Sequence, residues 1–140
     1  MRTLLISSIA LFFAFFTTPA EAQTKADASK NNYVVLTRNL QQLQPIILSA
    51  EALAEEDGKK FGDFKAIICG KTVKELGKNE TTQAFIEKAE KANVEIHVCG
   101  FSLKKFGVDR NALPKELKIA ENGILFNLQL QKQGYFSIEL

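Results

Sequence analysis

An α/β fold with a mainly parallel sheet of about five strands, covered by helices on both faces, follows from three observations. Short β-branched runs alternate with stretches of helical period along the chain. One phrase occurs twice: Cys69-Gly70-Lys71-Thr72-Val73-Lys74-Glu75-Leu76-Gly77, and thirty residues later Cys99-Gly100-Phe101-Ser102-Leu103-Lys104-Lys105-Phe106-Gly107. Each copy closes an apolar run and opens a short amphipathic stretch that a glycine ends. The repeat distance is about that of one βαβ unit, so the only two cysteines are expected at the carboxyl ends of neighbouring parallel strands. Ligands and chemistry in open α/β sheets belong to that edge.

The elements are justified in chain order. Tyr33-Val34-Val35-Leu36-Thr37 has strand character. From Leu43 the apolar residues Ile46, Ile47, Ala50, Leu53 and Ala54 keep helical spacing, with Pro45 suited to the first turn and Gly58 to the exit. Phe64-Lys65-Ala66-Ile67-Ile68-Cys69 is the second strand, and the first repeat follows. Thr81 or Thr82 can cap a helix carrying Phe85, Ile86 and Ala89. Val94-Glu95-Ile96-His97-Val98-Cys99 is the third strand. After the second repeat, residues 111–117 with Pro114 read as a loop or single turn, and Leu117-Lys118-Ile119-Ala120 as a fourth strand. Residues 123–133 form a helix with Ile124, Leu125 and Leu128 on one face and Gly134 as stop signal, and residues 135–140 close the chain as a strand.

The amino terminus is set apart from the fold. Arg2, the apolar residues 4–16 broken only by Ser7 and Ser8, and Ala20-Glu21-Ala22 read as a secretory signal peptide cut after Ala22. The apolar run is short of the roughly 20 residues that span a bilayer. Removing residues 1–22 from the 140 leaves 118, one small domain in which residues 23–32 are a small, polar, disordered leader. The expected location is periplasmic or secreted, with no membrane span in the mature chain.

Net charge is +2, with 18 basic and 16 acidic residues interspersed and no basic stripe of the kind that nucleic acid requires. No glycine-rich phosphate loop, nucleophile elbow or dinucleotide fingerprint occurs, and no cofactor is expected. Two cysteines without a Cys-x-x-Cys spacing do not suggest a metal site.

In an exported protein a cysteine pair reads either as a structural staple or as chemical thiols. A Cys99 sulfur beside the first unpaired N–H groups of a helix is stabilised as thiolate. Gly100 lets the backbone turn tightly, Ser102 offers a hydroxyl donor, and Lys104 and Lys105 add positive charge. His97 shares the strand parity of Cys99 and is the single histidine. It can hold a proton for the sulfur or serve as a structural hydrogen-bonding residue. Cys69 has Gly70 and Thr72 at the matching places. Two such helix starts side by side would give one pocket for a small sulfur anion, and strands about 4.8 Å apart would allow a reversible Cys69–Cys99 disulfide.

The stretch from Asn93-Val94-Glu95-Ile96-His97-Val98-Cys99-Gly100-Phe101-Ser102-Leu103 to Gly107-Val108, followed by Gly123 and Gln133-Gly134-Tyr135, resembles the DsrE-like family of small sulfur-relay proteins. The resemblance covers residues 33–140. It implies a compact three-layer α/β/α sandwich, assembly into homo-oligomers such as trimers or hexamers, and a persulfide-bearing cysteine after the third strand, matched here by Cys99. It assigns no role to Cys69. Three functions stand open: a sulfur carrier or sulfurtransferase with a persulfide on Cys99, exchanging with a donor or acceptor protein or a small sulfur anion; a non-catalytic oligomeric protein that binds a small ligand; and a thiol–disulfide redox protein using Cys69 and Cys99.

Overall fold

The computed structural model describes residues 29–140. The expected signal peptide, and the leader up to residue 28, lie outside the described residues. The elements run β1 (Asn31–Thr37), α1 (Leu43–Asp57), β2 (Phe61–Ile68), α2 (Glu80–Lys91), β3 (Val94–Cys99), α3 (Gly100–Phe106), β4 (Lys118–Ala120), α4 (Gly123–Lys132) and β5 (Phe136–Glu139). All five strands are parallel, in the order β4-β3-β2-β1-β5. The expected α/β/α sandwich is the fold observed.

Strand alternation divides the core in two. Val35, Phe64, Ala66, Ile68, Val94, Ile96 and Val98 face α1, α2 and Leu103 of α3. Val34, Leu36, Ile67, Cys69 and Cys99 face α4, from which Phe126 and Leu130 descend. The chain steps across the sheet from β1 to β4 with its helices on one face. It then returns from β4 to β5, and the handedness of a parallel crossover puts α4 on the other face. One ten-residue helix therefore roofs the face that carries both cysteines. Among the described residues no helix is long and apolar enough to cross a membrane.

The structure corrects several local expectations. β1 starts at Asn31, two residues before the expected strand. Asn32 is buried, its side-chain oxygen accepting the Asp63 N–H at 2.8 Å, and this tie also extends β2 back to Phe61. Tyr33, in turn, donates its hydroxyl to Asp57 at 2.6 Å. The cap of α2 is Asn79, not Thr81 or Thr82: its Oδ1 accepts from the Thr82 N–H at 2.9 Å, which makes Thr82 the third helical residue, fully buried. The amphipathic part of the first repeat is a 3-10 turn, Lys71–Glu75, because the Thr72 hydroxyl is drawn into the Leu40 N–H and the Glu75 carboxylate. α4 turns Gly123, Asn127 and Leu130 inward and leaves Ile124, Leu125 and Leu128 half exposed. With apolar residues nearly all round this helix, period alone does not single out the buried face.

The cap assignment is open to test. Asn79→Ala is expected to lower stability by about 1 kcal/mol in chemical denaturation, while Thr81→Ala stays within about 0.5 kcal/mol.

Candidate functional site

Ile68 of β2 is the register partner of Val98 in β3, so the next residues, Cys69 and Cys99, end adjacent strands side by side. Cys69 is held there by donating its N–H to the Thr37 carbonyl at 2.9 Å. Both sulfurs point toward α4, both are 5% exposed, and both are free thiols. The first residue of α4 lies directly on them. A Cβ at Gly123 would stand 2.7 Å from Cys69 Sγ and 3.1 Å from Cys99 Cβ. The missing side chain lets the Gly123 N–H donate to Cys99 Sγ at 3.4 Å. Asn122 anchors this start by accepting the Leu125 N–H on its side chain at 3.1 Å.

The surroundings separate the two thiols chemically. Burial opposes ionisation of Cys99, but the Ser102 hydroxyl, the N–H groups of Gly123 and Ser102, and the Cys69 thiol all hydrogen-bond its sulfur and bring its pKa below the ordinary thiol value. Cys69 moves the other way: burial, followed by the charge of Cys99 and the hydrogen bond given to it, pushes its pKa up to about 12, against a smaller lowering by Arg38. Of the pair, Cys99 is therefore the thiol that ionises first, and Cys69 the one that keeps its proton.

The two repeats meet at Ser102. Its Oγ accepts the Gly70 N–H at 2.9 Å and directs its own hydrogen to Cys99, so the turn after Cys69 orients the donor to the other sulfur. Gly70 makes this turn at φ 78°, in the region that favours glycine. Gly100 opens α3 beneath Glu121, whose carbonyl accepts the Phe101 N–H at 2.9 Å. Thr72 is committed elsewhere, between Leu40 and Glu75. The donors that converge on sulfur therefore come from the starts of α3 and α4, rather than from the two repeats equally.

Each Cys-Gly step has an exposed Arg–Glu pair against its glycine. Arg38, ion-paired with Glu139, lies over Gly70. Arg110, bonded through Nη2 to Glu121 Oε2 at 2.6 Å, lies over Gly100.

His97 shares the face of Cys99, as its parity requires, but its partner is Glu95, 3.1 Å from Nε2, and its ring tilts against Phe126 with centroids 4.8 Å apart. Burial lowers its pKa despite the Glu95 carboxylate, so the ring is neutral near pH 7. Burial would raise the pKa of Glu95, but the surrounding Lys65, Lys118 and His97 bring it down to about 2. The geometry thus gives His97 a structural hydrogen bond within a charged cluster lying toward the amino end of the strands. Gly123, Asn122 and Arg38 were not among the expected site residues. The Asn-Gly pair ahead of an apolar run was the available signal for the first two, and Arg38, directly after β1, had none.

With this geometry in place, the comparisons are decisive for family. The DsrE/DsrF-like family model matches residues 10–138. The chain belongs to the DsrE/DsrF-like family. No curated protein matches it. Among solved structures, it is similar to a protein of unknown function from Methanobacterium thermoautotrophicum, with 13% identity, 79% of this chain and 99% of that chain covered and a TM-score of 0.63. A conserved protein of unknown function from Bacteroides thetaiotaomicron is similar at 18% identity, with 79% and 95% covered and a TM-score of 0.59. These two likenesses concern the fold.

Ultraviolet thiolate absorbance is expected to show one cysteine ionising below the ordinary thiol pKa of about 8.5 and the second only far above it. Ser102→Ala should move the lower transition upward by removing its first hydrogen-bond donor. Gly123→Ala should cost about 1–3 kcal/mol in denaturant unfolding, because the new methyl group meets Cys69 Sγ, Ile67 Cγ2 and Cys99 Cβ at 2.7–3.1 Å.

Proposed function

We propose that this protein is an exported sulfur carrier in which Cys99 takes up sulfane sulfur as a persulfide and hands it to an acceptor. The observation that carries the reading is the Cys99 sulfur itself, which accepts the Gly123 N–H at 3.4 Å and whose pKa is lowered by Ser102, Gly123 and Cys69 against its burial. The DsrE-like family is associated with sulfur relay, which supports the same reading.

The chemistry needs no cofactor. The Cys99 thiolate attacks the sulfane sulfur of a donor, a new S–S bond forms at Sγ, and the donor's own bond to that sulfur breaks with the electron pair leaving on the donor. The product is a persulfide anion. The start of α4 favours negative charge there through its N–H groups and dipole. Delivery is the reverse attack by an acceptor nucleophile on the outer sulfur, which restores the thiolate.

Arg2, the apolar residues 4–16 and Ala20-Glu21-Ala22 support export, with a cut after Ala22. Assembly into trimers or hexamers is supported by what a single chain leaves uncovered. All four residues of the edge strand β5 are exposed, and Ile124, Leu125 and Leu128 turn outward from α4.

The test is the intact mass of reduced protein after exposure to a sulfane-sulfur donor. Immediately after a short exposure wild type should carry one added sulfur atom that alkylation traps and reduction removes, or should have turned it over to one sulfide and an internal disulfide, and Cys99→Ser should do neither. Equal behaviour of the two proteins, with uptake by both or with neither uptake nor sulfide in either, would overturn the reading.

A further inference from the structure

Carrying sulfur on Cys99 leaves one buried nucleophile without a task. We propose that Cys69 is a resolving thiol: it attacks Cys99 Sγ of the persulfide, expels the outer sulfur as sulfide, and closes a Cys69–Cys99 disulfide. The proposal deepens the carrier reading and rests on it, since the attacked species is the persulfide of Cys99.

The geometry supplies the contact. The two residues follow a register pair on adjacent parallel strands, where backbones lie about 4.8 Å apart, within the Cα range of about 4.4–6.8 Å that a disulfide accepts. Each thiol lies close enough to shift the ionisation of the other, Cys69 upward and Cys99 downward. Gly123 brings the start of α4 close over both residues, since a Cβ there would stand 2.7 Å from Cys69 Sγ and 3.1 Å from Cys99 Cβ.

The reaction balances without an external oxidant. The Cys69 thiol and the Cys99 persulfide become one Cys69–Cys99 disulfide and one molecule of hydrogen sulfide. The bond that forms joins the two Sγ atoms, and the bond that breaks joins Cys99 Sγ to the outer sulfur. The sulfane sulfur is reduced by two electrons, the two cysteine sulfurs are oxidised by one each, and the Cys69 proton leaves with the sulfide. Loading the carrier also readies the attacker. Negative charge moves from Cys99 Sγ to the outer sulfur, so the repulsion and the hydrogen bond that hold Cys69 protonated weaken, while the Arg38 guanidinium that favours its thiolate stays in place. The disulfide form is inert until a dithiol reductant resets it. The time for which sulfur stays on the protein is then a competition between an acceptor and Cys69.

The experiment starts from reduced full-length mature protein, treated anaerobically with a short pulse of inorganic polysulfide, desalted, and followed by intact mass and by released sulfide. Wild type should lose the added sulfur with one sulfide per chain, ending lighter than the reduced protein by two hydrogen atoms. Cys69→Ser and Cys69→Ala should keep the added sulfur longer by at least about tenfold, the advantage of a nucleophile held in contact with its target. Wild type that keeps its sulfur as long as the two variants, with no sulfide and no disulfide, overturns the resolving role and leaves the carrier reading standing. No uptake in wild type or in either Cys69 variant, with no sulfide released, overturns both. The wild-type mass and sulfide readings decide the matter even if a variant fails to fold.

Discussion

The site depends on one close approach, that of the α4 backbone onto two neighbouring sulfurs. A side chain at position 123 would occupy the space where Cys69 Sγ and Cys99 Cβ lie, so only glycine lets the helix start descend far enough to donate its N–H to sulfur. Burial by itself would leave both thiols neutral, because removing a charge from water is costly. The N–H groups and the hydroxyl supplied at that point are what reverse the balance for Cys99. Cys69 receives none of them and goes the other way.

The same approach connects site and fold. Among the described residues α4 lies alone on its face because the chain reverses direction between β4 and β5, and Phe126, Leu130 and Tyr135 pin it by burial against Val34, Leu36 and Ile67. Its start is then fixed by Asn122 and by the strand end at Ala120, which pairs with Cys99. Packing on the far half of the helix therefore sets the position of a hydrogen bond at its near end. The residues that make this roof are apolar on both sides, and its outer side, like β5, is left exposed.

Two thiols with opposed proton affinities, in contact and nearly dry, differ from a stapled pair in a chemical sense. A staple has no use for a stabilised thiolate. A carrier does, because the anion is both the attacking group and the state in which sulfur is held. In the proposed carrier, Cys69 would add to that stabilisation while Cys99 is empty, and the same proximity would become a route of attack once Cys99 is loaded. The exposed Arg–Glu pairs against Gly70 and Gly100 form the polar rim of this corner, and Arg38 is the one that reaches Cys69 electrostatically.

Much of this was legible in the residues. The duplicated Cys-Gly phrase at a βαβ interval placed both cysteines at the carboxyl edge of adjacent parallel strands, and strand period placed Cys99 and His97 on one face, because both are consequences of local chain geometry. The family resemblance singled out Cys99 from the same stretch. Local pattern did not show that Asn79 rather than a threonine caps α2, since all three are good caps and only the packing of Thr82 chooses between them. Nor could it turn α4, whose apolar residues surround the helix. The tertiary structure alone decided that Gly123 sits on the sulfurs, that Ser102 links the two repeats, and that His97 bonds Glu95. Each of those depends on residues brought together at the sheet by the fold, and neither spacing nor period carries that information.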